Sequence, residues 1–178
     1  MNLKTIKTNI DDVIIFQPEI FNDSRGYLIE SYSDKKYKNH IPSSSFVQDN
    51  ESKSSYGILR GLHFQKAPYE QAKLVHVIKG EIQDVAVDIR PNSKTFKQYI
   101  SVILNDQNKK QLYIPKGFAH GFLVLSQEAI VHYKMDEFYV HESNDGIRYD
   151  DKSINIEWML NKDSIKLSDK DKNLCHLK

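Results

Sequence analysis

Apolar and polar residues alternate through the middle of the chain, from about residue 73 to residue 104, with the two-residue period of a β-strand. In the run Asp84-Val85-Ala86-Val87-Asp88-Ile89, the valines and the isoleucine would face one side of a sheet and the intervening residues the other. The pattern therefore predicts strands whose two faces carry different side chains.

Similar short runs recur along the chain, separated by turn residues such as Lys79-Gly80 and Asn105-Asp106. Many short strands at this spacing are typical of a β-sandwich or β-barrel, so the sequence predicts an all-β fold. Helical periodicity is missing until the C-terminus, where Ser168 can cap one short helix, although Asp34 to Asn39 could form a brief helical turn. The predicted strands are Val13 to Phe16, Tyr27 to Ser31, Leu74 to Ile78, Tyr99 to Leu104, Gln111 to Ile114, Phe122 to Leu125 and Ala129 to Lys134.

Composition and charge limit the possible functions. The 178 residues contain no Gly-, Ser- or Pro-rich linker, which predicts a single domain over residues 1–178. The formal net charge of +1 gives no field that would attract nucleic acid. An anionic ligand must therefore be held by a local cluster of basic residues.

Cysteine content and hydropathy bear on the location of the protein. The single cysteine, Cys175, excludes an intrachain disulfide and a cage of thiolate metal ligands. The N-terminus lacks the apolar core of a signal peptide, and no apolar run approaches the roughly 20 residues that cross a bilayer. We expect a cytoplasmic protein that does not enter the membrane.

Two histidines stand out as candidates for chemistry. His63 lies in Arg60-Gly61-Leu62-His63-Phe64-Gln65, and His120 lies in Ile114-Pro115-Lys116-Gly117-Phe118-Ala119-His120-Gly121-Phe122. Both segments are punctuated by Gly or Pro like the edges of β-hairpins, from which side chains can point into one barrel cavity. A neutral imidazole, with an ordinary pKa near 6.5, can accept a proton at neutral pH.

A metal site is the alternative use of these histidines. The spacing of Gly117 and His120 matches the second motif of cupin barrels, but metal-binding cupins normally carry His-x-His where this chain has His63-Phe64-Gln65. A zinc or iron site usually needs at least three ligands, so Glu70 would have to join the two histidines. We expect no metal, and the metal-dependent cupin remains a competing hypothesis.

A more specific indication comes from six segments in register, which are residues 21–27, 46–50, 59–65, 73–75, 84–90 and 115–122. Together, spanning roughly residues 10 to 171, they resemble the dTDP-4-dehydrorhamnose 3,5-epimerase family. The resemblance implies a cupin-type β-jelly roll, a homodimer, no cofactor, and a nucleotide-diphospho-4-keto sugar of the dTDP-4-keto-6-deoxyglucose type as substrate. It also implies inversion of carbon 3 and carbon 5 during synthesis of surface-polysaccharide precursors.

The resemblance assigns four catalytic residues. His63 matches the general base, Asp171 its partner carboxylate, and Tyr133 the acid on the opposite face of the sugar. Lys73 matches a residue near the ketone oxygen. These residue types suit the reaction, because a hydrogen next to a ketone is acidic, its removal gives an enolate, and inversion requires reprotonation from the other face.

The same resemblance assigns substrate-binding positions. Arg25 and Arg60 match residues that hold the diphosphate, for which a guanidinium has a suitable planar fork. The remaining matches are neighbouring polar positions, aromatic positions near the nucleobase and a residue close to the sugar: Gln48, Asn50, Glu30, Tyr27, Tyr139 and His120.

Several alternatives stay open at this stage. Asp171 could simply occupy the first turn of the terminal helix, Tyr133 could be core packing, and Lys73 and Arg60 could belong to surface ion pairs. His76 and Glu51 depart from residues common among relatives, near the expected ligand pocket. Relatives with the same motifs include 3-only epimerases and epimerases of GDP-linked 4-keto heptoses, and a noncatalytic nucleotide-sugar-binding cupin is the rival from another class.

Association of two copies also has a candidate surface in the sequence. The apolar run Val13-Ile14-Ile15-Phe16 is suited to an edge strand that pairs with a neighbouring sheet. The resemblance implies that an N-terminal strand pairs in this way and supplies residues near the pocket of the partner.

Overall fold

Thirteen strands and two short helices make up the regular structure of residues 2–41 and 45–177, which are the residues described in this computed structural model. The all-β prediction is confirmed. The strands are β1 Leu3–Lys7, β2 Ile14–Pro18, β3 Ile20–Asp23, β4 Gly26–Ile29, β5 Gln48–Ser55, β6 Leu59–Gln65, β7 Lys73–Lys79, β8 Glu81–Asp88, β9 Tyr99–Asn105, β10 Gln111–Ile114, β11 Phe118–Val124, β12 Glu128–Met135 and β13 Asn144–Gly146. The helices are α1 Asp34–Tyr37 and α2 Asp169–Lys172, with 3-10 turns at His141–Ser143 and Lys162–Ser164.

The strands form two antiparallel sheets that pack face to face, which is the jelly-roll arrangement implied by the family resemblance. The larger sheet has the order β1-β2-β10-β7-β12-β5, and the smaller has the order β13-β6-β11-β8-β9. The hairpin β3–β4 forms a separate two-stranded sheet. Apart from the pairs β1–β2 and β8–β9, neighbouring strands in both sheets are distant in sequence, as in other double-sheet β folds.

The main hydrophobic core lies between the two sheets. Val75 and Val77 enter it from β7, and Ile82 and Ala86 enter it from β8. The alternation predicted for β8 is confirmed, but its other face is also buried, because Val85 and its neighbours pack against the segment around residues 147–156. The interior face of β8 is the one that carries Asp84, so a carboxylate is placed among apolar side chains.

The two histidine segments lie inside the smaller sheet, and the prediction of hairpin edges was wrong. Strand β6 lies between β13 and β11, and β11 lies between β6 and β8. Glycines here permit close approach of two backbones: a Cβ on Gly61, whose φ is +128°, would lie 2.5 Å from the Cα of Gly121. This approach pairs His63 with His120 across β6 and β11.

Two other strand predictions need correction. Strand β11 begins at Phe118 rather than Phe122, because the turn ends at Gly117, whose φ is +80°. The apolar run from Val13 to Phe16 is not an edge, since β2 pairs with β1 on one side and β10 on the other, and Val13 and Phe16 are buried. Its apolar side chains serve the core of this chain.

The short helix α2 begins where the sequence indicates. The side chain of Ser168 accepts a hydrogen bond of 3.1 Å from the backbone amide of Asp171 and so caps the first turn. Within residues 2–41 and 45–177, none of the helices has the length and apolar character needed to span a membrane.

Candidate active site

A cavity of about 480 Å³ opens between the two sheets at the end where α2 is placed. His63 and His120 line it from the smaller sheet, Lys73 and Tyr133 line it from the larger sheet, and Asp171 closes it from α2. The structure thus brings together all four predicted catalytic residues and His120. The other lining residues are Ile58, Leu59, Arg60, Phe122, Leu167, Ser168 and Lys170.

His63 is paired with Asp171. The Nε2 atom of His63 lies 2.6 Å from Oδ1 of Asp171, a carboxylate that is almost completely buried. Burial raises the pKa of Asp171, but hydrogen bonds from His63, Ser168 and the Gly61 amide outweigh it and hold that pKa below its ordinary value. An ionised carboxylate only accepts hydrogen bonds, so Nε2 of His63 donates and Nδ1 carries the free lone pair. Nδ1 is therefore the atom able to take a proton.

A second histidine–carboxylate pair lies at the cavity wall, where His120 lines the cavity and Asp84 is fully buried. The Nε2 atom of His120 lies 2.7 Å from Oδ1 of Asp84, and both side chains are buried. Burial lowers the pKa of His120 although Asp84 opposes the shift, so the ring is neutral at neutral pH. Asp84 was not among the predicted site residues. The alternation in β8 sets Asp84 on the face opposite the valines and gives no sign that this face is the interior.

Lys73 and Tyr133 stand on the opposite wall. Lys73 is the first residue of β7, and Tyr133 lies on β12, where its ring also packs against the main core. Burial lowers the pKa of Lys73 to about 8, and the charge of Asp84 works in the opposite direction. Lys73 therefore carries most of its charge at neutral pH, in a cavity where an ammonium acts more strongly than in bulk water.

The two walls give the cavity two proton carriers that face each other. His63 belongs to the smaller sheet and Tyr133 to the larger, so a flat ligand bound between the sheets would present one face to each. Lys73 supplies a positive charge on the wall of Tyr133. This arrangement can remove a proton from one face of a carbon acid, stabilise the resulting anion and return a proton from the other face.

The mouth of the cavity carries basic and hydroxyl groups. Arg60 donates from Nε to Oγ of Ser54 at 2.9 Å, which fixes its guanidinium at the rim. Lys170 and Ser168 line the same cavity from the start of α2, and neither was predicted as a site residue. Two cations beside a hydroxyl suit a diphosphate, in a chain whose net charge offers no general attraction.

Three predicted binding residues form a separate group beside the cavity. Gln48 donates from Nε2 to Oδ1 of Asn50 at 3.0 Å, and its Oε1 accepts a hydrogen bond of 3.1 Å from the backbone amide of Tyr139. Asn50 pairs with Tyr133 between β5 and β12, so the group adjoins the wall of the cavity without lining it. The exposed ring of Tyr139 offers a flat surface there.

The three remaining predicted residues lie outside the cavity of their own chain. Arg25 is at the tip of the β3–β4 hairpin, where its side chain is 88% exposed and pairs with Asp23. Tyr27 accepts a hydrogen bond of 2.9 Å from Nζ of Lys109. Glu30 forms an ion pair of 2.6 Å with Lys36. None of these three side chains lines the cavity.

The residues of the alternative metal set are not brought together. Gln65 is committed to the neighbouring loop, donating to the carbonyls of Tyr69 and Phe138 and accepting from the amide of Val140. Glu70 is not among the residues that line the cavity. Across residues 2–41 and 45–177, no group of three or more His, Cys, Asp and Glu side chains is arranged to hold a metal ion.

The departures noted from the family pattern lie away from the cavity. The rings of His76 and His132 are 4.9 Å apart, and His132 pairs with Glu51 between β12 and β5. These side chains project opposite to Val75, Val131 and Tyr133, which point to the core and the cavity. The expectation that His76 and Glu51 border the ligand pocket of their own chain was therefore wrong.

Comparisons with known proteins agree with this geometry. A family model described as dTDP-4-dehydrorhamnose 3,5-epimerase matches residues 7–178. A dTDP-4-dehydrorhamnose 3,5-epimerase from Shigella flexneri is 51% identical over 172 residues, which is 96% of this chain and 94% of the relative. Among solved structures, a dTDP-6-deoxy-D-glucose-3,5-epimerase from Legionella pneumophila Philadelphia 1 in complex with dTDP-4-keto-L-rhamnose has a TM-score of 0.95 and 46% identity, covering 99% of this chain and 93% of the other. A dTDP-4-dehydrorhamnose 3,5-epimerase from Bacillus anthracis str. Ames with TDP and PPi bound has a TM-score of 0.94 and 45% identity, covering 99% and 100%.

Proposed function

The chain belongs to the dTDP-4-dehydrorhamnose 3,5-epimerase family, and we propose that His63, Tyr133 and Lys73 carry its reaction in the cavity between the sheets. As a member of this family, the protein is an isomerase that inverts carbon 3 and carbon 5 of a nucleotide-diphospho-4-keto sugar. These roles are assigned because His63, which is hydrogen-bonded to the buried carboxylate of Asp171, lies on the wall opposite Tyr133.

The first step is removal of a proton next to the ketone. The Nδ1 atom of His63 takes the proton, and Asp171 stabilises the imidazolium that forms through its hydrogen bond with Nε2. Because Asp171 is buried and ionised, this stabilisation is stronger than water would provide. Asp171 itself keeps its charge throughout.

The second step is return of a proton from the other face. Removal of the first proton leaves an enolate, whose charge concentrates on the former ketone oxygen and is stabilised by the ammonium of Lys73. The hydroxyl of Tyr133 then donates its proton to the carbon from the wall opposite His63, and the configuration inverts. Carbon 3 and carbon 5 both neighbour the ketone, so the same groups can serve both carbons in turn once His63 has released its proton to water and Tyr133 has regained one.

Two sets of residues bind the substrate, one at the rim of the cavity and one in the group beside the cavity. Arg60 and Lys170 bind the diphosphate at the mouth, and Gln48, Asn50 and Tyr139 bind toward the nucleoside. The Legionella pneumophila neighbour holds dTDP-4-keto-L-rhamnose and the Bacillus anthracis neighbour holds TDP. These ligands support a dTDP-linked 4-keto-6-deoxy sugar as the substrate of this chain.

The working unit is a homodimer of single-domain subunits. Arg25, Tyr27 and Glu30 are the predicted binding residues on or directly after the β3–β4 hairpin, which presents exposed Phe21 and Leu28 to solvent. A hairpin of this kind can bury its apolar side chains on a second copy and deliver Arg25 to the rim of that copy's cavity. We place the enzyme in the cytoplasm, in the synthesis of surface-polysaccharide precursors.

A panel of dTDP-, GDP- and UDP-linked 4-keto sugars in heavy water tests the proposal. The mass of each recovered sugar, with and without EDTA, reports on exchange of carbon-bound hydrogen. We expect two deuterons in the dTDP-linked 4-keto-6-deoxy sugar and no effect of EDTA. Exchange confined to another nucleotide sugar would contradict the substrate, and absence of exchange would favour a noncatalytic binder. Activity lost on chelation and restored by one metal would contradict the metal-free mechanism.

A further inference from the structure

The buried carboxylate of Asp84 uses only one of its two oxygens in a hydrogen bond within residues 2–41 and 45–177. Its Oδ1 accepts from His120, but its Oδ2 is buried and has no hydrogen-bond partner within residues 2–41 and 45–177. An unpaired carboxylate oxygen away from water costs free energy, and native structures keep few of them without a reason. The hydrogen bond that orients His120 explains why Oδ1 is buried but not why Oδ2 is buried.

Lys73 is the complementary case in the same cavity. Neither an ion pair nor a hydrogen bond of its ammonium occurs among the described side chains, although burial disfavours its charge. The nearby carboxylate Asp171 is engaged by His63. The other titratable and charged groups that line the cavity, from β6, β11, β12 and α2, are Arg60, His63, His120, Tyr133, Lys170 and Asp171, and Asp84 of β8 lies against His120. Of these, Asp84 is the one whose charge favours the Lys73 ammonium.

We propose that Asp84 is a positioning residue with two functions: Oδ1 orients His120, and the charge at Oδ2 keeps Lys73 in the ammonium form that stabilises the enolate. The carboxylate and the ammonium lie beyond direct ion-pair distance, so the link is electrostatic and leaves Lys73 available to the substrate. This inference rests on the proposed function of Lys73, but the tie between the two residues can be measured separately.

The substitution Asp84→Asn isolates the charge. An asparagine has nearly the same shape, and its carbonyl oxygen can still accept the hydrogen bond from His120. Loss of a nearby negative charge lowers the pKa of a cation, typically by about one unit or more. The pKa of Lys73, about 8 in the intact protein, would then fall toward neutrality. At about pH 7.5 the ammonium fraction would decrease about threefold.

Two measurements on the folded enzyme test the proposal. Reductive ¹³C-methylation makes the lysines visible by NMR, and comparison with Lys73→Arg assigns the signal of Lys73. The titration midpoint of that signal should move down by about one pH unit in Asp84→Asn. It should stay within a few tenths of a unit in His120→Asn, the matched control that removes the ring and retains the carboxylate. In parallel, the high-pH limb of the kcat profile should move down with the midpoint.

The outcomes distinguish the link between Asp84 and Lys73 from the role of Lys73 in the reaction. An unmoved Lys73 midpoint in Asp84→Asn, or an equal shift in His120→Asn, would overturn the link between Asp84 and Lys73. A shifted midpoint with an unmoved kcat limb would uphold that link and contradict the role of Lys73 in the reaction. If Asp84→Asn does not fold, Asp84→Glu gives the answer: it retains the charge and should keep the high-pH limb, and loss of that limb would overturn the proposal.

Discussion

Asp171 accepts a hydrogen bond of 2.6 Å from Nε2 of His63, although the two residues are separated by 108 positions in the chain. The contact requires that α2 fold back over the open end of the two sheets. It fixes which nitrogen of the ring faces the cavity, and it places an ionised carboxylate behind the proposed base. The chemistry of the site therefore depends on the position of a helix of four residues.

Asp171→Asn should lower kcat on the order of 100-fold, because the amide no longer stabilises a charged His63 ring. Binding of dTDP should change little, since Asp171 is not proposed to contact the nucleotide. Steady-state kinetics with calorimetry of dTDP separate these effects. Asp169→Asn is the matched control. Asp169 lies on the same helix, its side chain is 93% exposed and pairs with Lys172, and its substitution should leave kcat unchanged. Comparable losses in both variants would contradict the pairing.

Tyr133→Phe keeps the ring that packs against the core and removes the proton that Tyr133 would donate. We expect deuterium uptake to persist at one carbon while inversion stalls or the ratio of products changes, because His63 still exchanges its own face. NMR of the product in heavy water measures both. Unchanged rate and stereochemistry would mean that Tyr133 is only a packing residue.

Mixed dimers test whether the β3–β4 hairpin acts across subunits. Arg25→Ala and His63→Asn should each be poorly active alone, because one lacks the hairpin cation and the other lacks the base. If the hairpin of one subunit serves the cavity of the other, a heterodimer regains one complete site and activity returns on mixing and reassembly. If Arg25 serves its own cavity, no complete site forms and mixing restores nothing, which would contradict the proposed exchange.

Asp88 is expected to contribute to stability through its hydrogen bonds with Arg90, Ser93 and Thr95. Although burial alone raises its pKa, these bonds hold the pKa of Asp88 well below the ordinary value. A lowered folded-state pKa means that the stabilisation is complete above the unfolded pKa of about 4 and is lost as the pH falls below it. Asp88→Asn should reduce the free energy of unfolding by about 2 kcal/mol at neutral pH.

Denaturant unfolding across the pH range checks this prediction. The difference between wild type and Asp88→Asn should shrink as the pH is lowered below about 4. Asp12→Asn is the control: its carboxylate also meets Arg90, at 2.8 Å, but it is half exposed, so its loss should cost under about 1 kcal/mol. Equal costs for the two substitutions, or a difference independent of pH, would contradict the account.

The strands that could be predicted from sequence are those with runs of apolar side chains bounded by turn residues. Strand β10, Gln111–Ile114, was predicted with both ends correct, and the capped helix at Ser168 was found. Strand β5, Gln48–Ser55, was missed because all eight of its side chains are polar and it is held by backbone pairing with β12. Periodicity of apolar residues gives no signal for such a strand.

The candidate site was predicted through motif resemblance more than through pattern. The resemblance identified His63, Lys73, Tyr133 and Asp171, which the structure gathers from four separate elements. Asp84 was missed because the alternation in β8 does not reveal which face is the interior when both faces are buried. Register between distant strands decides this, and a single sequence does not specify it.

The most direct measurement compares wild type with His63→Asn, both freed of metal by EDTA, in heavy water with the dTDP-linked 4-keto-6-deoxy sugar. NMR of the recovered sugar resolves deuterium at carbon 3 from deuterium at carbon 5. The account predicts rapid exchange at both carbons in wild type, and exchange slowed by a factor of about 100 or more at both in His63→Asn. Exchange at the wild-type rate in folded His63→Asn would contradict the central claim that His63 is the base.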